Sequence, residues 1–241
     1  MIPRYQQGIE FNGSHSFRDL GLTVKSRTIG NPKKKKNLVQ MPFTNQEYDL
    51  SEVYGLQTYE NRQLTYILNV IDLPSNRKQE MNSLKIRALN TWVPANHRTI
   101  LRDDAIPGYY FLAEIREAPA FTEHNGKGEL TAVFDAYPFK ISEKEQPDDL
   151  WDPFDFINDV AQNKEHKISG VTKVMVINLS ATGVASKITV DTDMVLEKKG
   201  IKYNLKKGTN KDTGFTLDMG ENNLTVTGNG VLSFSWFREV I

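Results

Sequence analysis

Between residues 171 and 237 the chain is cut by glycine and asparagine into short segments whose apolar residues alternate, and this rhythm constrains the fold more than any other feature. The segments cover residues 171–179, 186–190, 194–198, 202–205, 215–217, 222–227 and 231–237. The breaks fall at Gly183, Gly200, Gly208-Thr209-Asn210, Gly220 and Gly228-Asn229-Gly230. Strands recurring every ~8–12 residues between such turns predict a β-sandwich, because each strand offers one apolar face and needs a second layer to bury it.

The first half of the chain follows the same rule with one exception. Leu64, Tyr66, Leu68 and Val70 fall on one face at period two, residues 109–115 form another strand after the Pro107-Gly108 turn, and residues 129–135 alternate again. Asn125-Gly126-Lys127-Gly128 suits a hairpin turn before that last strand. The exception is residues 76–92, where Met81, Leu84, Ala88, Leu89 and Trp92 keep helical spacing, Asn76 and Gln79 suit a capping box, and Pro74 and Pro94 bracket the segment. One amphipathic helix laid on a sheet is expected there. Residues 140–149, KISEKEQPDD, are polar and weakly patterned and read as a connection. Residues 151–160 fit neither period. The expected architecture is therefore mainly β, in two domains, 1–139 and 140–241.

Composition excludes several functions. The 241 residues carry 30 Lys+Arg against 30 Asp+Glu, so there is no basic excess to hold phosphates by counterion release. The run Lys33-Lys34-Lys35-Lys36 stands alone, has no interleaved aromatics, and is followed by Glu47, Asp49 and Glu52. Gly30-Asn31-Pro32 before it are turn formers, so the run reads as a solvated loop tip and no specific nucleic-acid binding is expected. Absence of cysteine removes disulfides, thiolate metal sites and a thiol nucleophile. The opening MIPRYQQGIEFNG has no apolar signal core, and no stretch approaches the ~18 apolar residues of a spanning helix, so a soluble protein without membrane insertion is expected.

No catalytic constellation emerges. His15, His97, His124 and His166 are dispersed without metal-ligand spacing, and each reads as a surface or loop histidine. Asp103-Asp104 and Asp148-Asp149 are adjacent pairs whose side chains point apart, and they read as loop residues. No enzyme activity, cofactor or metal is expected.

Several stretches together resemble one family. Residues 8–22, GIEFNGSHSFRDLGL, residues 43–62, FTNQEYDLSEVYGLQTYENR, residues 130–139, LTAVFDAYPF, and more weakly residues 222–237, NNLTVTGNGVLSFSWF, are similar in order and spacing to the distal tail proteins of long, flexible-tailed phages of Gram-positive hosts. Where that family often has Pro-Gly before its second block, this chain has Met41-Pro42-Phe43. The resemblance implies an N-terminal β-sandwich with one flanking helix and an extended arm, followed by a C-terminal galectin-like β-sandwich.

It also implies a structural hub at the phage tail tip, a virion component assembled in the host cytoplasm. The N-terminal domains would form a homohexameric ring. The ring would meet the major tail tube protein, the tail-associated fibre or lysin protein, the tape-measure protein and, in some phages, receptor-binding proteins. Residues 25–41 occupy the place of the family's arm around the next subunit, which makes Lys33, Lys34, Lys35, Lys36, Leu38 and Val39 the candidate inter-subunit residues. The alternative is a carbohydrate-binding, lectin-like module for host-surface adhesion. It would require an exposed Trp or Tyr beside polar side chains, and Trp236 sits in an alternating strand where burial is expected.

Overall fold

A computed structural model describes residues 7–53, 55, 57–70, 78–95, 97–124, 127–147 and 162–241. The elements are β1 (Ile9–Phe11), β2 (Ser14–His15), β3 (Thr23–Ile29), β4 (Leu38–Gln40), β5 (Glu47–Asp49), β6 (Arg62–Val70), α1 (Lys78–Trp92), β7 (Thr99–Asp103), β8 (Tyr109–Ile115), β9 (Ala120–His124) and β10 (Lys127–Ala136). They continue with β11 (Lys140–Gln146), β12 (Glu165–Asn178), β13 (Val184–Ala185), β14 (Lys187–Val190), β15 (Met194–Lys198), β16 (Ile201–Leu205), β17 (Gly208–Asn210), β18 (Thr216–Leu217) and β19 (Gly220–Val240). The chain is mainly β, with one helix among the described residues. It divides into two compact units, Met1–Lys140 with Ile241, and Ile141–Val240.

In the first unit β10 is central. One of its edges pairs antiparallel with β6 from Gly128↔Val70 to Ala136↔Arg62, and the other pairs with β9 and then β8. β3 extends the sheet beyond β6, while β7, β1 and β2 follow on from β8. The period-two pattern explains the core: Leu64, Tyr66, Leu68, Val70, Leu130, Ala132 and Phe134 all face inward and are fully buried. The helix covers this face through Met81, Ala88 and Trp92, with Leu84 and Leu89 half-buried beside them. Its predicted first residues, 76 and 77, and Pro74 lie outside the described residues, as do Asn125 and Gly126 of the predicted turn. Phe134 is the hinge of the packing, with its ring 4.9 Å from Phe11, 5.9 Å from Tyr66 and 6.4 Å from Trp92 between centroids.

The GIEFNGSHSFRDLGL stretch folds as it does because its polar groups satisfy one another. Asn12 and Gly13, both at positive φ, turn β1 into β2. Ser16 Oγ accepts the Ile9 N–H, and Asp19 accepts the His15 N–H. A Cβ on Gly8 would lie 2.4 Å from Ser16 Oγ, so only glycine lets the segment close.

This arrangement corrects the reading of His15 as a surface residue, since it is buried. Its Nδ1 accepts the N–H groups of Phe17 and Arg18, both at 3.1 Å. The proton therefore resides on Nε2, which donates to Asp104 Oδ2 at 3.0 Å. Burial tends to raise the Asp104 carboxyl, but hydrogen bonds from the Gly8 N–H and the His15 ring outweigh it, and its pKa lies below the usual carboxylate range.

Asp103 is likewise no loop residue. It ends β7 with its side chain wholly buried, accepts Arg27 Nε at 3.0 Å and Tyr66 Oη at 3.0 Å, and caps the Ala105 N–H. Burial beside this carboxylate pushes the Tyr66 phenol up. The adjacent aspartates do diverge, as their spacing requires, but both turn to buried partners.

The second unit is organised by the long antiparallel pair β12–β19, in register from Glu165↔Ser233 to Asn178↔Gly220. β19 pairs with β15 at Thr225–Thr227 and with β14 at Leu232–Ser235. The switch between these partners occurs at Gly228-Asn229-Gly230. Both glycines have positive φ, and a Cβ on Gly230 would lie 2.1 Å from Asp191 Oδ1, the atom that accepts the Val231 N–H at 2.8 Å. Gly230→Ala will therefore displace Asp191 and strain the backbone, at a cost of about 1–3 kcal/mol. Chemical denaturation will show an earlier transition, and an unchanged midpoint would contradict this role.

Inward residues of these strands, among them Leu196, Leu224, Val226, Leu232, Phe234 and Trp236, form the second core. Residues 140–146, read as part of a connection, form β11. Ile141 and Ser142 are buried and Ser142 Oγ accepts the Arg238 N–H, while the charged residues that obscured the pattern face solvent. Residues 148–149 and 151–160 lie outside the described residues.

Candidate functional site: an exposed arm

Between β3 and β6 the chain leaves the first unit's sheet. The Gly30 N–H still donates to the Gln63 carbonyl at 2.9 Å, and a Cβ on Gly30 would sit 2.6 Å from that same oxygen. Glycine is thus required where the two limbs part. Beyond it the limbs run together as an arm. Lys34 bridges Tyr59, the Lys35 N–H donates to Thr58, the Glu60 N–H donates to Lys33, and the Leu50 N–H donates to Asn37. β4 then pairs with β5, Leu38↔Asp49, Val39↔Tyr48 and Gln40↔Glu47.

The structure places the expected arm residues on this extension. Lys33, Lys34, Lys35 and Lys36 are exposed, and so are Leu38 at 51% and Val39 at 46%. The bounds differ from those expected. Residues 25–29 lie in β3, and the arm includes a return limb, with residues 42–53 and 57–61 described, that was not expected from the sequence. A β-bulge between Val24 and Ser26 interrupts the period-two pattern of β3, and Lys25 at the bulge meets Glu129.

Alternation gives the hairpin two different faces. Val39 and Tyr48 are directly paired, so Met41 and Leu50 share their side, while Lys36, Leu38, Gln40, Glu47, Asp49 and Ser51 lie on the other. Lys36 meets Asp49 across the polar face at 2.5 Å. At the tip, Phe43 is completely exposed and sits at φ 62°, in the left-handed region that bulky residues avoid. A two-stranded hairpin is marginal by itself in water, and one with Val39, Phe43, Tyr48, Leu50 and Val53 exposed lacks a covering surface.

The Lys36 ammonium, helped by the Ser51 hydroxyl and N–H, holds the Asp49 carboxyl at about 2. Because this folded value is depressed from the ordinary 3.8, the contact's contribution is fully present above about pH 4 and is lost as pH falls through about 2. An NMR titration of Asp49 will show a midpoint near 2, and Lys36→Ser will move it upward toward the ordinary range. A midpoint indifferent to that substitution would contradict the pairing.

Among the described residues, no group of three or more His, Cys, Asp or Glu could hold a metal ion, and no helix is long and apolar enough to cross a membrane. His97 is exposed, and His166 is half-buried against Phe234 with its pKa lowered by burial. In the second unit Trp236 is 3% exposed, in the core, and the exposed large apolar side chains among the described residues are Val171, Met175, Ile201, Met219 and Phe237.

Comparison with known proteins gives the fold. No family model matches the sequence, and no curated protein is similar to it. In structure the chain is similar to the SPP1 Dit protein, gp 19.1, a paradigm of the hub adsorption apparatus in Gram-positive infecting phages. The identity is 11%, 96% of this chain and 98% of that chain are covered, and the TM-score is 0.63. A weaker likeness, at 9% identity, covers 97% of this chain and 97% of a chain of the phage p2 baseplate in its activated conformation. Its TM-score of 0.41 carries no argument.

Proposed function

We propose that this chain is a distal tail hub protein of a long-tailed phage of a Gram-positive host, and not an enzyme. The observation that carries the reading is the likeness to the SPP1 hub protein, which extends over nearly all of both chains. Two units and an exposed arm support a role in assembly.

In this reading the first unit forms a closed six-fold ring. Each arm embraces the next copy through a heterologous contact that leaves no free sticky surface once the ring closes. The ring would join the tail tube to the tail-associated fibre or lysin protein and the tape-measure protein, with receptor-binding proteins as further partners. The second unit has its own galectin-like core and takes no part in closure. The protein would be assembled in the host cytoplasm and end in the virion. The lysine run serves the arm and not nucleic acid, because a basic ring around a tail lumen would retard the passing phosphates.

Expressed separately, residues 1–140 should form rings and residues 141–241 should be a folded monomer, as each unit has its own core. A monomeric 1–140 beside a ring-forming 141–241 would overturn this division.

A further inference from the structure

The part of the arm beyond its four lysines and the helix α1 are opposite in charge, and both expose apolar side chains. Between Asn37 and Val53 the chain has no Lys or Arg and carries Glu47, Asp49 and Glu52, of which Asp49 is paired with Lys36, while Glu60 lies beside Lys33 at the base of the arm. The outer part of the arm is therefore apolar and acidic. On α1, Met81, Ala88 and Trp92 face the core, whereas Ile86 is 54% exposed and Val93, just past the helix end, is 42% exposed. Val93 continues the helical hydrogen bonding, its N–H donating to Leu89 at 3.0 Å. Seven residues apart, Ile86 and Val93 lie on one face about 10 Å from each other.

Basic residues flank Ile86. Lys85 stands 4.5 Å over the Phe121 ring and Arg87 donates to the Asp19 carbonyl. The helix therefore presents an outer face with Ile86 and Val93 exposed and Asn90 between them, edged on either side by Lys85 and Arg87.

We infer that the outer face of α1 on a second copy receives the arm tip, with Phe43 seated between Ile86 and Val93 and the arm's free carboxylates beside Lys85 and Arg87. This inference rests on the ring reading and adds the receiving surface to it. The occupant is a second copy because the two surfaces are complementary in charge and both belong to this chain. They are also different patches, so the contact is head to tail and propagates from copy to copy. Phe43 suits the role of anchor. It is a large aromatic, wholly exposed, and held out at the tip by the Met41-Pro42-Phe43-Thr44 turn, in which the Thr44 N–H donates to the Met41 carbonyl and Phe43 takes the positive-φ position.

The test uses the full chain, whose lack of cysteine makes engineered thiols specific. A Phe43→Cys/Ile86→Cys double variant, treated with a short bismaleimide, will give a ladder of covalently linked copies on a denaturing gel. Either single variant will stop at dimers. Ile86→Asp, which places a carboxylate opposite the arm's own, will raise the concentration for half-assembly at least about tenfold without changing the unfolding midpoint. If the wild-type chain assembles yet the double variant links no further than the single ones, the receiving surface is wrong while the ring reading stands. If the wild-type chain is monomeric at every concentration, both fall.

Discussion

A chain in which residues 31–61 are replaced by an Asn-Gly turn will fold and stay monomeric at concentrations where the full chain assembles. Folding is expected to survive because no arm residue belongs to either core cluster. β3 and β6 are already antiparallel neighbours, with Ile29↔Leu64 in register and Gly30 bonded to Gln63, so a tight turn can join them directly. The expected loss is the Tyr59 ring against Phe139, 5.3 Å between centroids, of about 1 kcal/mol. Assembly is a different matter. Val39, Phe43, Tyr48, Leu50 and Val53 supply most of the exposed large apolar side chains among the first unit's described residues, and removing them should weaken association more than about 100-fold. Sedimentation at matched concentrations decides it, and a shortened chain that assembles as well as the full one would refute the arm's role.

The second large effect is on stability. Phe134→Ala removes the side chain on which Phe11, Tyr66 and Trp92 converge, in a core where all four are essentially fully buried. These partners come from β1, β6 and α1, which cannot all shift to fill the void, so the cost should be about 3–5 kcal/mol. The first unit's melting temperature should fall by roughly 10 °C. Phe43→Ala should leave that temperature unchanged, because its side chain touches solvent only. Phe43→Gly should raise stability slightly, by about 1 kcal/mol, through release of the left-handed strain. Equal losses from Phe134→Ala and Phe43→Ala would contradict the separation of core from arm.

What could be read from the sequence follows from where period-two and helical patterns survive. β6 and β10 are buried on one face and exposed on the other, so Leu64-to-Val70 and the strand around Phe134 announced themselves. The helix was legible for the same reason, through Met81, Ala88 and Trp92. β11 was obscured because Glu143, Lys144 and Glu145 crowd its exposed side. The arm was only half visible. Lys33–Lys36 and the turn formers before them read as a loop tip, whereas they lie on the outgoing limb near the base, with the tip beyond Gln40, and the return limb has no buried face and hence no period to detect. One signal was present: no basic residue stands between Asn37 and Asn61 while isolated Phe43, Tyr48, Leu50 and Val53 do. Asp103 and His15 were misjudged because a polar residue's burial depends on partners distant in sequence, Arg27 and Tyr66 for one and Asp104 for the other.

Electron-microscope class averages of the purified full-length chain test the central claim most directly. The account predicts closed rings of six copies with a central opening, formed without nucleic acid or metal. A strict monomer at high concentration, or an open filament that never closes, would contradict it.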